Sequence, residues 1–431
     1  MPKPKQTPGL ALRLAAAHRL QLVLKGASFA PLSASDIADS RDRALGNKLI
    51  TAALRRHGHL SLVLNHLLER GMPKKSGRFE PILRLSLAQL LYLPELGDHS
   101  AVFLGAEAMK ADKATQHLSK LMNALLRRGQ TEAAELRDGP LELLFAPALV
   151  KNWTAAYGAA TLQNFAQALL EGAPLDLTLK GDYPTLLELL DARPILADTV
   201  RVEQRDKPVD QLPGFAEGRF WVQDAAAAIP ARLFRLAPGA RVLDIGASPG
   251  GKTAQLVKAG YQVTALERDP ARVDRLRTNL HRLSYNTEIV TADALDYTPA
   301  TPFDGVLLDA PCSATGTFRR HPEVVWHRNP KDIAGRVELQ RRLIARAIAC
   351  LNPGGVLIYC VCSLEPEEGE SQAGWAIDQG LEPLPITAAD LDGWAAPVTE
   401  TGYIRTHPGQ IVPGEKGGTL DGFFVARFRR R

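Results

Sequence analysis

The sequence predicts an α/β domain in its C-terminal half, preceded by an all-α domain and a small α+β connecting domain. Three observations carry this reading. Residues 9 to about 130 repeat apolar side chains at three- and four-residue spacing, the period of helices with one buried face. Residues 131 to about 220 mix short strand-like and helix-like runs. From about residue 221, short apolar runs alternate with helical stretches, the pattern of a parallel sheet covered on both faces. The expected domains are therefore 1–130, 131–220 and 221–431.

In the first region, LALRLAAAHRLQLVL, LSLVLNHLLER and PILRLSLAQLLYL are helix-sized. Gly71-Met72-Pro73 and Gly97-Asp98 read as breaks. In the second, PLDLTLK and DTVRVE read as strands, with TLLELLDA as a helix between them and DKPVDQLPGFAEG as a connector. In the third, RVLDIGA, YQVTALE, TEIVTAD, FDGVLLDA and GVLIYCVC are strands ending in polar or small residues. DPARVDRLRTNLHRL and ELQRRLIARAIACL are helices between them. Ligands of such sheets sit beyond the carboxyl ends of the strands.

Composition excludes several classes. Of 431 residues, 45% are hydrophobic and 23% charged, which is ordinary for a globular chain. No apolar run approaches the roughly 18 residues that span a bilayer. Charged residues interrupt the N-terminal apolar stretch after MPKPKQTPG, so it reads as a surface helix and not a signal peptide. The expectation is a cytoplasmic, monomeric protein with no membrane partner. The four cysteines, Cys312, Cys350, Cys360 and Cys362, all fall in the last third and make neither a disulfide framework nor a zinc spacing. No metal is expected. Residues 1–130 hold 20 Lys/Arg against 9 Asp/Glu, while residues 131–431 hold 32 against 38. A basic first third beside a mildly acidic remainder suits binding of a nucleic-acid backbone.

Gly246-Ala247-Ser248-Pro249-Gly250-Gly251-Lys252-Thr253 follows a strand and opens a helix. Its spacing satisfies the phosphate-binding loop of nucleotide hydrolases, which makes that class the main rival. Pro249 removes one backbone N–H from the cradle, and Asp244 sets a carboxylate where a triphosphate would be repelled. Glu267 ends the second strand and Asp293 follows the third. Carboxylates at successive strand ends suit the hydroxyls and base edge of a nucleoside cofactor. The fourth strand ends in Asp309-Ala310-Pro311-Cys312 and the fifth in Cys360-Val361-Cys362. If those strands are neighbours, Cys312 and Cys362 meet at the same rim. Cys350 and Cys360 read as small core residues. Arg319, Arg320 and His321, just beyond Cys312, are candidates to hold substrate phosphates.

These motifs carry a resemblance. LDIGASPGGKT, LLDAPCSATGTFRRHPEVVW, YCVCSLEPEE and the closing DGFFVARF resemble the RNA 5-methylcytosine methyltransferases of the Sun/Fmu family. ALRRHGHL, ILRLSLAQLLYLPELGDHSAV and LSKLMNALLRR resemble a NusB-like helical domain. The combination is similar to the bacterial branch that acts on 16S ribosomal RNA. The resemblance implies a Rossmann-like S-adenosylmethionine-dependent methyltransferase domain and an RNA partner. It implies a cofactor site at Gly246 to Lys252, Glu267, Asp293 and Asp309. It also implies Cys362 as the nucleophile, with Cys312 and Asp309 assisting. The family usually has Cys and Ala where this chain has Gly246 and Ser248, and Asp where it has Glu267; a small loop residue and a carboxylate are kept. A third class, a non-catalytic RNA-binding assembly factor, is opposed by the intact Asp309, Cys312 and Cys362.

Overall fold

In a computed structural model, residues 7–203, 207–413 and 419–431 are described. The start of MPKPKQTPG, residues 1–6, and Asp206 of the expected connector lie outside them. The chain divides into two compact units. One comprises residues 1–151 and 321–327, the other residues 152–320 and 328–431.

The first unit is helical: α1 (Leu10–Leu24), α2 (Ser40–Arg55), α3 (His57–Leu67), α4 (Phe79–Tyr92), α5 (Asp98–Lys110), α6 (Ser119–Thr131) and α7 (Ala133–Leu136). The break expected around Gly71 separates α3 from α4, and Gly97-Asp98 opens α5. α4 is the centre: every residue from Pro81 to Leu91 is buried, and α1, α2, α5 and α6 pack around it. Two of its three buried polar side chains, Arg84 and Gln89, are held by side-chain hydrogen bonds, as burial requires. Gln89 accepts from Arg13 at 2.5 Å and donates to Ser100 at 2.7 Å. Arg84 donates to Glu80 at 2.9 Å and to Ser61 at 3.1 Å.

The second unit holds two sheets. After α8 (Pro147–Tyr157), which bridges the sequence boundary, and α9 (Ala159–Glu171) come β1 (Leu175–Leu179), α10 (Pro184–Leu190), β2 (Ala192–Leu196), β3 (Thr199–Val202) and β4 (Phe220–Val222). They make an antiparallel sheet in the order β2-β3-β1-β4. The two strands and the helix read from the sequence are β1, β3 and α10. β2 had no alternating signal; it is an edge strand, where Pro194 removes no interior ladder bond.

The larger sheet uses β5 (Arg241–Ile245), β6 (Gln262–Glu267), β7 (Glu288–Thr291), β8 (Phe303–Asp309), β9 (Leu351–Val361), β10 (Leu381–Pro383), β11 (Ile404–Thr406) and β12 (Phe423–Arg430). Strands β5 to β9 are parallel in the order β7-β6-β5-β8-β9; β12 runs antiparallel beside β9 and pairs with β10 and β11. α12 (Gly251–Lys258), α13 (Pro270–Arg282), α15 (Pro330–Cys350) and α16 (Glu370–Asp378) join or follow these strands; the short α11 (Ile229–Arg232) precedes them, and α14 (Val324–His327) belongs to the helical unit. Val242, Leu243, Val306, Leu307, Leu308, Leu357 and Ile358 are fully buried, which explains their unbroken apolar runs. Among the described residues no helix is long and apolar enough to cross a membrane.

Because α4 is buried on all sides, Leu87→Ala leaves a cavity that its neighbours fill only in part. The expected loss is about 2–5 kcal/mol of unfolding free energy. Denaturant titration, with hydrogen exchange read on α4, measures it; a loss under about 1 kcal/mol would show that the bundle collapses into the gap.

Candidate active site

The parallel strands end on one rim, and the residues singled out by sequence lie along it. Asp244 is buried at the end of β5. It accepts from Thr253 Oγ1 at 2.6 Å, and its other oxygen has no hydrogen-bond partner. Burial pushes its carboxyl up to about 7, although Thr253 and Lys252 oppose this. Gly246 follows with φ +81, and a Cβ there would stand 2.6 Å from the Asp309 carbonyl oxygen. The ends of β5 and β8 approach closely because this side chain is missing.

The rest of the loop turns toward α13. Ser248 Oγ donates to the Arg272 carbonyl at 2.9 Å, and Asn279 donates to the Pro249 carbonyl at 2.8 Å. The Ser248–Pro249 bond is cis. Gly250 precedes the helix and Gly251 opens it. Lys252 reaches the thiol side of the rim, its Nζ 2.8 Å from Asp309 Oδ2. Burial alone would lower the ammonium's pKa, but Asp309 and the neighbouring Cys360 and Cys362 raise it. Thr253 is fully buried and spent on Asp244. The two side chains that would serve triphosphate and magnesium in a hydrolase are thus held by carboxylates.

A cavity of about 270 Å³ opens beside the rim. Among the residues called from sequence, Gly246, Glu267, Asp293, Asp309, Cys312 and Cys362 line it. Ala247, Ser248, Pro249, Gly250, Gly251 and Lys252, also called from sequence, are not among the residues that line it. Arg268, Arg272, Ala292, Leu339 and Leu343 also line it and were not singled out, because isolated apolar or basic residues carry no motif. The lining fits a nucleoside cofactor. Glu267 Oε1 accepts from the N–H groups of Arg268 and Asp269. Its Oε2 is buried without a hydrogen bond, 3.4 Å from Arg272 in an ion pair. That oxygen is an acceptor waiting for a hydroxyl donor.

At the other end, Cys312 and Cys362 are free thiols with Sγ atoms 3.5 Å apart. Parallel pairing of β8 with β9, Asp309 opposite Cys360, brings them together across 50 residues of sequence. The hydrogen bond to Cys362, then burial, pushes the Cys312 thiol well above its ordinary value. Cys350 and Cys360 are buried; Cys360 Sγ also lies 3.6 Å from Asp309 Oδ1.

The residue that sequence reasoning missed is Glu368, fully buried in the SLEPEE stretch. Its carboxylate accepts from Ser313 N–H at 2.9 Å, Ser313 Oγ at 2.5 Å, Ser363 Oγ at 2.6 Å and Gln340 at 3.1 Å. Ser313 and Ser363 each follow one of the two cysteines, so one carboxylate holds both thiol loops. The signal available was a run of acidic residues directly after a strand end. Nearby, Glu365 accepts from Trp153 Nε1 at 2.8 Å, and burial pushes it up to about 7.

The basic run beyond Cys312 is a correction. Arg319 is fully buried and donates to Asp224 and Asp421 at 2.7 Å, and Arg320 pairs with the same carboxylates at 2.8 and 3.2 Å. Their charges are consumed inside the protein. His321 belongs to the helical unit, 3.8 Å from Glu323. The expected phosphate role therefore fails for Arg319 and Arg320. Among the described residues no cluster could hold a metal ion.

Sheet order, carboxylates at successive strand ends and paired thiols define a Rossmann-like methyltransferase. The profile of the 16S rRNA methyltransferase RsmB/F family matches residues 231–429, and that of the NusB family matches residues 11–130. Ribosomal RNA small subunit methyltransferase B of Xanthomonas campestris is 36% identical, over 97% of both chains. The protein of the same name from Pseudomonas putida is 34% identical, over 96% of this chain and 97% of its own. A methyltransferase homologue from Pyrococcus horikoshii of solved structure is 26% identical, with TM-score 0.54 over 67% of this chain and 98% of its own. The chain belongs to the ribosomal RNA small subunit methyltransferase B family. It is an S-adenosylmethionine-dependent RNA methyltransferase with a NusB-like helical domain.

Two outcomes are expected from the acidic stretch. Glu368→Gln replaces an acceptor-only group by one that carries two donors and clashes with the hydroxyls it faces. Methyl transfer should fall at least tenfold while calorimetric cofactor affinity stays within about twofold; activity within twofold of wild type would remove the clamp from the account. Glu365 holds its proton to about 7 in the folded state but releases it near 4.5 when unfolded. The native state therefore binds more protons across that window, and stability falls as pH rises through it, by a few kcal/mol at most. Glu365→Gln should flatten this part of the curve, measured by urea unfolding at pH 4.5 to 7.5; an unchanged slope would contradict the assignment.

Proposed function

We propose that this enzyme methylates carbon 5 of an unpaired cytosine in 16S ribosomal RNA, with Cys362 as its nucleophile. The observation that carries this reading is the thiol pair, 3.5 Å apart beside Asp309 at the mouth of the cavity. The RNA assignment draws on the names of the relatives, and the basic balance of residues 1–130 agrees with it.

Carbon 5 of cytosine is a weak nucleophile. Addition of the Cys362 sulfur at carbon 6 makes the ring enamine-like, so that carbon 5 can attack an electrophilic methyl. The cofactor's sulfonium supplies that methyl. Glu267 and Asp293 are assigned to its hydroxyls and base edge, with Gly246 giving it room. The proton given up by the Cys362 thiol passes to Asp309, beside Lys252, and from it to N3 of the base, which neutralises the negative charge that develops on the ring as the sulfur adds. After transfer, carbon 5 loses its proton and the carbon–sulfur bond breaks, returning Cys362. Cys312 is assigned to this release. A base inside a duplex cannot reach such a rim, so the target is single-stranded or flipped out.

The two cysteines separate cleanly by experiment. Cys362→Ala should abolish methylation and give no covalent complex. Cys312→Ala should still attack and methylate but release poorly, so a protein–RNA adduct accumulates on denaturing gels. The double variant should give none. An adduct found only in Cys362→Ala would reassign the nucleophile to Cys312, and full activity without an adduct in any variant would remove covalent catalysis.

A further inference from the structure

Arg319 and Arg320 are ion-paired with Asp224 and Asp421, so other cations must meet the substrate backbone beside the thiol loop. Arg328 and Arg336 stand in that place. Arg328 is half-buried, and its Nε donates to the Ser313 carbonyl at 2.7 Å, one residue past Cys312. The guanidinium is therefore anchored to the edge of the thiol loop. Arg336 lies on α15, one turn before Gln340. Gln340 donates to the Pro311 carbonyl at 3.0 Å and to Glu368 at 3.1 Å, so this face of α15 meets the same loop. Leu339 and Leu343 of the same helix line the cavity.

The two half-buried arginines lack the carboxylate partners that Arg201 and Arg319, more deeply buried, have. Arg201 sits on Asp176 at 2.7 Å, and Arg319 sits between Asp224 and Asp421. Neither Arg328 nor Arg336 has a carboxylate within ion-pair distance among the described residues. The buried Nε of Arg336 has no hydrogen bond at all. The pair also works against itself. The pKa of Arg328 is lowered by burial first and then by the positive charge of Arg336, opposed by Asp332, Cys312 and Glu368. A desolvated cation without a counter-ion is costly unless an anion is brought to it.

We infer that Arg328 and Arg336 form a phosphodiester subsite that grips the RNA strand next to the target base. Guanidinium forks match phosphate oxygens in pairs. Neither residue is among those that line the cofactor cavity. The placement explains how a splayed-out base is steadied at the thiols: its flanking phosphate is fixed by the loop that carries Cys312. This rests on the RNA reading given above.

The test uses the full chain and an unmodified transcript of small-subunit ribosomal RNA. RNA affinity is read by filter retention over a range of salt, and methyl transfer with tritiated cofactor. Arg336→Gln should weaken RNA binding about five- to tenfold and make the log–log salt slope shallower by about one. In turnover the loss should fall on KM for RNA more than on kcat, with calorimetric cofactor affinity unchanged. Arg336→Lys should restore the slope and only part of the affinity, because the charge returns without the fork. Arg328→Lys checks the partner while sparing a donor for the Ser313 carbonyl. An unchanged affinity and slope in Arg336→Gln would overturn the subsite, as would weaker binding with the wild-type slope. Normal RNA binding without methyl transfer by the wild-type chain would sink the activity reading instead and leave the slope to decide the subsite.

Discussion

The catalytic rim depends on one buried carboxylate. Glu368 gathers a backbone N–H, two serine hydroxyls and a glutamine amide, and these donors come from three separate segments. Without it the loops after β8 and β9 would each carry buried donors with no acceptor, at about 1–3 kcal/mol apiece. The bonds around it reinforce the arrangement. Gly316 N–H donates to the Cys362 carbonyl at 3.1 Å, and Arg405 donates to the Ser363 carbonyl at 2.5 Å. The sulfur–sulfur distance is thus the product of a polar network and owes little to the flexible thiols themselves.

Charge is handled in two ways around this site. Asp224 and Asp421 pair with both Arg319 and Arg320, and the assembly ties the segment before α11 to the one before β12. Asp309 and Lys252 form the second kind of pair, part-exposed, with Asp309 in the cavity lining. Burial makes the first kind inert, and it makes the second responsive, because a partly desolvated charge feels each new neighbour strongly.

The glycine loop shows how one spacing serves different chemistry. Gly246 to Thr253 has the residue pattern of a phosphate cradle, yet its lysine turns to Asp309 and its threonine to Asp244. What redirects them is the carboxylate at the end of each adjoining strand. A triphosphate would meet negative charge here; a nucleoside with hydroxyl donors meets acceptors.

The amino-acid sequence by itself determined the helical first third, the strand–helix alternation of the last half and the order in which Asp244, Glu267, Asp293, Asp309 and the cysteines reach strand ends. Each of these is written in local periodicity, which a short window contains. It also supplied the family resemblance, since the paired-cysteine motifs are contiguous. The edge strand β2 escaped, because an edge strand needs no alternating pattern. The tertiary structure alone decided which strand ends adjoin: β8 and β9 are neighbours through the α15 crossover, and that places Cys312 against Cys362. It alone showed that Arg319 and Arg320 are spent on Asp224 and Asp421, carboxylates about a hundred residues away, and that Glu368 lies beneath both thiols. A basic or acidic run looks the same in sequence whether it faces water or a buried partner, because burial is set by segments the run never touches along the chain.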